Sequence, residues 1–231
     1  MNSKYCGHIF RCPKCRSELL WSKKKCACCG TPFQIRDNLF DFVEGRRIEA
    51  QGKVEVALHQ SLTEEYEKRY QDAFSKVYSN YWNQQFISKL PDDCGMILDC
   101  GCGTGDLIRE ILPCGRQIVG MDISRDMIRV AKNIIADEKK VIWVASPGET
   151  FPFADEIFDV ICFRGALHHM THETLALKEA HRTLRTGGTL MISEPNDDSL
   201  LLRFPGVPGT PYLIQSFSQI TLSDLIFMSG K

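Results

Sequence analysis

The sequence predicts a doubly wound α/β domain with a mainly parallel sheet, preceded by a small metal-binding ribbon. Three observations carry this. From residue 94 onward, short apolar runs alternate with amphipathic, helix-like stretches. The first of those runs breaks into a glycine-rich turn, Gly101-Cys102-Gly103-Thr104-Gly105, directly before a helix. The first 43 residues hold six of the 11 cysteines, most of them in paired spacing.

At 231 residues the chain suits one medium domain plus a small module. Its 43% hydrophobic and 25% charged residues are an ordinary globular balance. A net charge of −1 excludes a global basic field that would draw the chain to nucleic acid or anionic lipid. Lys14, Arg16, Lys23, Lys24 and Lys25 make the first 25 residues locally basic, which fits either RNA contact or a solvated face around a metal site. Met1–His8 lacks the apolar stretch of a secretory signal, and no apolar run approaches membrane-span length. A reducing, cytoplasmic setting without a membrane partner is expected, where clustered cysteines bind metal more often than they form disulfides.

The zones follow in order. Residues 1–43 are the cysteine-rich ribbon. Residues 44–93 are polar and helix-prone, a helical linker and lid. Residues 94–231 form the α/β domain, with strands expected at Met96–Cys100, Gln117–Met121, Val141–Ala145, Phe158–Phe163 and Thr189–Ser193. Helices are expected at Asp106–Leu112, Met127–Asp137 and Glu173–Leu184. Strands that are apolar throughout and separated by helices indicate a parallel sheet covered on both faces. After the fifth strand a Pro/Gly-rich loop precedes a last predicted helix, Phe217–Met228. The spacing leaves the fifth strand as an exposed sheet edge, a liability that a dimer or protein partner would cover.

The glycine turn lets backbone approach a nucleotide-like ligand closely. The dinucleotide fingerprint G-x-G-x-x-G fails, because its third glycine falls on Asp106. A phosphate-cradling Gly-Lys-Ser/Thr is also absent. Asp99, two residues before the first glycine, and Asp106 would repel a pyrophosphate and suit an ammonium group. Asp122 ends the second strand about 20 residues past the first glycine, where a carboxylate takes ribose hydroxyls. Asp122, Ser124 and Asp126 also fit helix N-capping.

The ordered segments LDCGCGTGDL, VGMDISRDMI, SPGETFPFADEIFDVI, ALHHM and EAHRTLRTGGTLMISEP resemble the successive motifs of class I S-adenosylmethionine-dependent methyltransferases, over roughly residues 66–194. The resemblance implies a Rossmann-like fold, with its last two strands not accommodated here, and S-adenosyl-L-methionine as cofactor. It assigns Asp99, Gly101, Cys102, Gly103 and Gly105 to the methionine end and Asp122 to the ribose. Ile123 and Met127 fall beside the adenine, with Glu149 the carboxylate nearest that edge. Arg164 falls under the sulfonium, and Tyr66 and Tyr70 resemble an aromatic lid. Two departures stand out. Pro147 occupies a position that is often acidic. Arg164 is a cation near a sulfonium, unfavourable unless it points away or pairs with Glu149 or Asp159.

Methyl transfer is an in-line displacement in which the protein mainly positions two atoms. A base matters only when the acceptor must lose a proton. His168, His169 and Glu194 are the candidates, because ligands of open α/β sheets collect at the C-terminal ends of strands. Small molecules and RNA bases are both acceptable acceptors. A non-catalytic, cofactor-fold subunit that docks through its ribbon is the alternative, and a nicotinamide oxidoreductase is disfavoured by the failed fingerprint.

Cys12-Pro-Lys-Cys15 and Cys26-Ala-Cys-Cys29, ten residues apart, form paired C-x2-C knuckles, the spacing of a four-thiolate structural zinc. Cys28 could replace Cys26 or Cys29. The segment FRCPKCRSELLWSKKKCACCGTPFQIRDNLFDFV resembles the ribbon preceding bacterial ribosomal-RNA guanine methyltransferase domains. Trp21 and Lys23–Lys25 are then compatible with RNA stacking and phosphate contact, and equally with a module that only caps the domain.

Overall fold

The computed structural model describes residues 7–43, 73–135, 140–195 and 212–218. A small antiparallel hairpin, β1 (Leu19–Leu20) and β2 (Lys25–Cys26), lies in the cysteine-rich segment. An eight-stranded sheet organises the rest. Its strands are β3 (Gln34–Arg36), β4 (Leu39–Asp41), β5 (Met96–Cys100), β6 (Gln117–Asp122), β7 (Val141–Ala145), β8 (Phe158–Arg164), β9 (Leu184–Pro195) and β10 (Tyr212–Ser218). Their order is β10-β9-β8-β5-β6-β7-β4-β3. Helices α1 (Ala73–Ile87), α2 (Asp106–Ile111), α3 (Arg125–Ile134) and α4 (Glu173–Thr183) flank them.

The five predicted strands are β5 to β9, all parallel, in the doubly wound arrangement. Strand order reverses beside β5, so the loops after β5 and β8 splay apart there and leave a crevice. α3 begins two residues earlier than expected, because the Ser124 hydroxyl accepts the Met127 amide and caps it.

Two strand pairings lay beyond the sequence. First, β10 pairs antiparallel with β9 along its length. The fifth strand is therefore not an exposed edge, and Phe217–Ser218, expected to open a helix, end a strand instead. Tyr212-Leu213-Ile214 is β-prone, and the unpaired ladder of β9 rewards that preference. Second, the ribbon joins the sheet. Its β3–β4 hairpin docks in parallel on β7, pairing Leu39 with Trp143, Phe40 with Val144 and Asp41 with Ala145.

The period of two along the strands divides the core. Ile97, Ile118, Trp143 and Met191 face α1–α3, where Phe86, Ile108 and Ile128 are fully buried. Leu98, Val119, Ile142 and Leu190 face the other way, toward Ala176 and Leu177 of α4 and toward Phe10, Phe33, Phe40 and Phe42 of the ribbon. No helix lies between β7 and β8. The connecting loop instead packs under the ribbon, where Phe10 bridges Phe153, Arg11 N donates to Pro152 O at 3.0 Å and Ala154 N donates to Ile9 O at 2.8 Å.

Candidate active site and cysteine cluster

The glycine turn leaves β5 at the sheet crevice. Gly101 has φ +78°, and a Cβ there would lie 2.4 Å from the Ala166 methyl. Gly105 has φ +79°, and a Cβ there would meet Ile135 at 2.8 Å. Both positions demand glycine twice over, by backbone conformation and by space. Gly103 faces open space. Its amide donates to Asp122 Oδ2 at 2.9 Å, while Ser124 N donates to Asp122 Oδ1 at 2.8 Å. The turn and the end of β6 are thus locked by one carboxylate, and capping of α3 falls to Ser124. Cys102 is buried at the turn, where burial pushes its thiol far above the ordinary range.

Asp99 is buried behind the turn. No hydrogen-bond donor among the described residues is paired with its carboxylate. Burial pushes its acid up to about 7; Arg164 opposes the rise, while Asp122 and Asp106 add to it.

Arg164 ends β8 and is mostly buried. Its guanidinium donates to Ser79 Oγ at 2.8 Å and lies 3.7 Å from Asp106 Oδ2, while its Nε is buried without a partner. Ser79 Oγ also donates to Asp106 Oδ2, as does Asn83 Nδ2 at 3.1 Å, and Arg109 donates to Asp106 Oδ1 at 2.6 Å. Burial raises the Asp106 acid, but these donors and cations outweigh it and hold the acid below the usual range. Arg164 therefore pairs with neither Glu149 nor Asp159. Glu149 accepts the Thr171 amide at 2.9 Å, and Asp159 binds Met96 N and Arg185. The reason is topological: α1 brings Ser79 and Asn83 over the glycine turn, and no periodicity in the sequence reveals that.

At the ends of β8 and β9, His168 Nδ1 hydrogen-bonds Glu194 Oε2. Glu194 Oε1 accepts the amides of Ala166 at 3.0 Å and Leu167 at 2.8 Å. The carboxylate at the end of β9 thereby fixes both the loop after β8 and the imidazole on it. The His169 ring lies 3.9 Å from that of His168. Met127 is buried and Ile123 half-buried beside the end of β6. Tyr66 and Tyr70 lie outside the described residues.

The four predicted ligand sulfurs, of Cys12, Cys15, Cys26 and Cys29, all lie within 4.8 Å of one another. Sγ–Sγ distances are 3.6 Å for Cys12–Cys29 and 3.4 Å for Cys15–Cys26 and Cys15–Cys29. A tetrahedron with zinc–sulfur bonds of about 2.3 Å has edges of about 3.8 Å. Cys28 is exposed, and its amide donates to Cys26 Sγ at 3.3 Å, so Cys26 rather than Cys28 faces the cluster. Each knuckle pairs a reluctant thiol with an acidic one. Burial pushes Cys12 up to about 12 and raises Cys26, while hydrogen bonds from Ser17 bring Cys15 down to about 5 and bonds from Thr31 lower Cys29. A divalent ion is the chemistry that would make all four thiolates together. Trp21 turns inward, with edge contacts to Phe10, Phe33 and Phe40, while Lys23–Lys25 are exposed.

Residues 98–192 match the methyltransferase domain family. The chain carries a methyltransferase domain of the class I, S-adenosylmethionine-dependent kind. A demethylmenaquinone methyltransferase of Lactococcus lactis is 28% identical over 166 residues, 63% of this chain and 66% of that protein. A ubiquinone/menaquinone biosynthesis C-methyltransferase of Cupriavidus pinatubonensis is 32% identical over 161 residues, 67% of this chain and 65% of that protein. Among solved structures, one from Thermotoga maritima, named as an S-adenosylmethionine-dependent methyltransferase and possible histamine N-methyltransferase, superposes with a TM-score of 0.53. It shares 24% identity over 64% of this chain and 65% of that one, a likeness of fold. The chain spans just under two thirds of the length of these two curated relatives, and about half of others it matches. Among the described residues, no helix of the methyltransferase domain or ribbon is long and apolar enough to cross a membrane.

Proposed function

We propose that the protein transfers the methyl group of S-adenosylmethionine to an acceptor held at the C-terminal ends of β8 and β9. One observation carries this reading: beside an open glycine turn, a buried carboxylate without a donor (Asp99) lies within electrostatic reach of a guanidinium whose Nε is buried without an acceptor (Arg164). A buried carboxylate without a donor is costly, and so is a buried N–H without an acceptor. An ammonium on Asp99 and a carboxylate on Arg164 satisfy both, and the amino-acid end of the cofactor supplies that pair. Asp122 then takes the ribose, Ile123 and Met127 line the adenine side, and Glu149 holds the neighbouring loop through Thr171.

When bound, the cofactor supplies a methyl group on a sulfonium, a leaving group already activated. The chain orients the acceptor, excludes water and accepts a proton where one must leave. His168, oriented by Glu194, is the proton acceptor, with the His169 ring tilted against it. A small molecule is the favoured acceptor over an RNA base. The relatives are named for quinone precursors, and Trp21, the ribbon's stacking candidate, is spent on internal packing. The four cysteines hold a structural zinc. The non-catalytic reading rests on Arg164, Pro147 and the missing last strands. Arg164 has partners and β10 pairs with β9, so of the three only Pro147 still favours it.

Calorimetric titration with S-adenosylmethionine tests the reading. Micromolar binding, weakened at least roughly tenfold (about 1.4 kcal/mol) by Asp122→Ala, is expected. No binding by the folded, zinc-loaded wild type overturns it.

A further inference from the structure

The ribbon reaches the cofactor side of the sheet through an ion pair whose carboxylate is buried. β4 lies parallel to β7, so its C-terminal end comes to the same sheet edge as the ends of β5 and β6. The last residue of β4, Asp41, is 4% exposed. Both its oxygens grip Arg125, at 2.7 Å from Nε to Oδ2 and 3.2 Å from Nη2 to Oδ1, a two-pronged contact. The Val43 amide also donates to Asp41 Oδ1 at 3.0 Å, and Phe42 N donates to Ala145 O at 2.8 Å.

Arg125 is the first residue of α3, directly after the Asp122-Ile123-Ser124 turn. That turn carries the carboxylate that locks Gly103 and the hydroxyl that caps α3. The other end of the connection is the cysteine cluster. The β1–β2 hairpin, whose ends are joined by Ala27 N to Glu18 O at 3.0 Å, holds Trp21 against Phe40, the residue before Asp41. Trp21 of the cysteine-bearing hairpin thus packs on Phe40, Phe40 precedes Asp41, and Asp41 binds Arg125, three residues past Asp122.

We propose that Asp41 is a positioning residue for the cofactor and that metal loading of the ribbon and adenosyl binding are thermodynamically coupled through it. This goes beyond the methyltransferase reading and rests on its assignment of Asp122 to the ribose. The coupling acts on the adenosine end of the site. The Asp99–Arg164 end is held by α1 and the glycine turn, which the ribbon does not touch through this pair.

The test uses the full chain, loaded with zinc, titrated with S-adenosylhomocysteine and separately with adenosine. Asp41→Asn is expected to weaken both roughly tenfold, a typical coupling magnitude. Asp99→Asn should weaken only S-adenosylhomocysteine. If Asp41→Asn does not fold, Arg125→Gln, at a half-exposed side chain, gives the same reading from the other partner. Linkage adds a readout that a merely structural residue does not move: saturating S-adenosylhomocysteine must tighten zinc binding, read by equilibrium competition with a chromophoric chelator, by the factor by which zinc tightens S-adenosylhomocysteine binding, and Asp41→Asn must abolish that change. The inference is overturned if wild type binds S-adenosylhomocysteine but both variants bind within twofold of it, or if ligand leaves zinc retention unchanged. Absence of binding by wild type overturns the cofactor reading itself, and the inference with it.

Discussion

The two faces of the sheet are closed by different means. On one, three helices lay aliphatic side chains over Ile97, Ile118 and Val160. On the other, α4 covers only the β8–β9 side. The β6–β7 side is closed by ribbon aromatics stacked on each other, Phe10 on Phe40 at 4.6 Å and Phe33 on Phe42 at 5.4 Å between centroids. Helices carry their own backbone hydrogen bonds and hold their shape locally. The ribbon has strands of two or three residues, too short for independent stability. Its face is therefore only as firm as whatever ties the knuckles together. A module that reads as an appendage is one layer of the core.

The largest expected effect breaks that comparison directly. Removing the metal, or Cys12→Ser, should cost roughly 4–5 kcal/mol or more, the range for loss of a structural metal. For a chain of this size that is roughly 10–20 °C in the thermal midpoint. If the midpoint is unmoved by chelator, the ribbon holds itself together and the contrast between faces fails.

Next, Phe153→Ala, under the ribbon, should destabilise by about 3–5 kcal/mol, against about 1 kcal/mol for Ile108→Val on the helical face. Urea denaturation of the zinc-loaded proteins measures both. In the chelated protein the Phe153 penalty should shrink, because its partners have already loosened, while the Ile108 penalty should stay.

A pH series sharpens the picture at the crevice. The folded Asp99 acid is raised from 3.8 to about 7, chiefly by burial. Without cofactor, the stability linked to its proton is fully present below about pH 4 and is lost as pH rises through about 7. Asp99→Asn should therefore be more stable than wild type at pH 8 and not at pH 4. Cofactor affinity should run the other way, rising by up to about tenfold per pH unit between pH 5 and 6.5, because the ammonium needs the ionised carboxylate. A flat affinity profile would remove Asp99 from the cofactor contact.

The smallest effect concerns the seam between ribbon and α4. Arg16 donates to Glu179 Oε1 at 3.0 Å, and Glu179 also accepts Phe151 N and binds Arg182. The Arg16 side chain is mostly exposed, so Arg16→Ala should cost at most about 1 kcal/mol. A larger loss would mean that this pair, rather than the aromatic stack, joins ribbon to sheet.

Much of this was legible in the chain, and for definite reasons. The strands β5 to β8 announced themselves as apolar runs of buried parallel sheet. Gly101 and Gly105 sat where backbone conformation admits little else, and two C-x2-C knuckles can converge on one ion by local geometry alone. These features depend on residues near one another in sequence. Asp41 offered a faint signal, an acid between Phe40 and Phe42 in a strand-like run, but nothing local says that its partner is Arg125. Likewise Ser79 and Asn83 lie in a polar, unpatterned helix, and only its docking over the glycine turn places them on Asp106. The sequence alone determined the α/β order, the glycine turn and the cysteine cluster, because hydrophobic period, backbone sterics and ligand spacing act over a few residues. The tertiary structure decided that the ribbon is a sheet layer, that β10 covers β9 and that Arg164 pairs with Ser79 and Asp106, because edge pairing and buried ion pairs join residues that only the packed chain brings together.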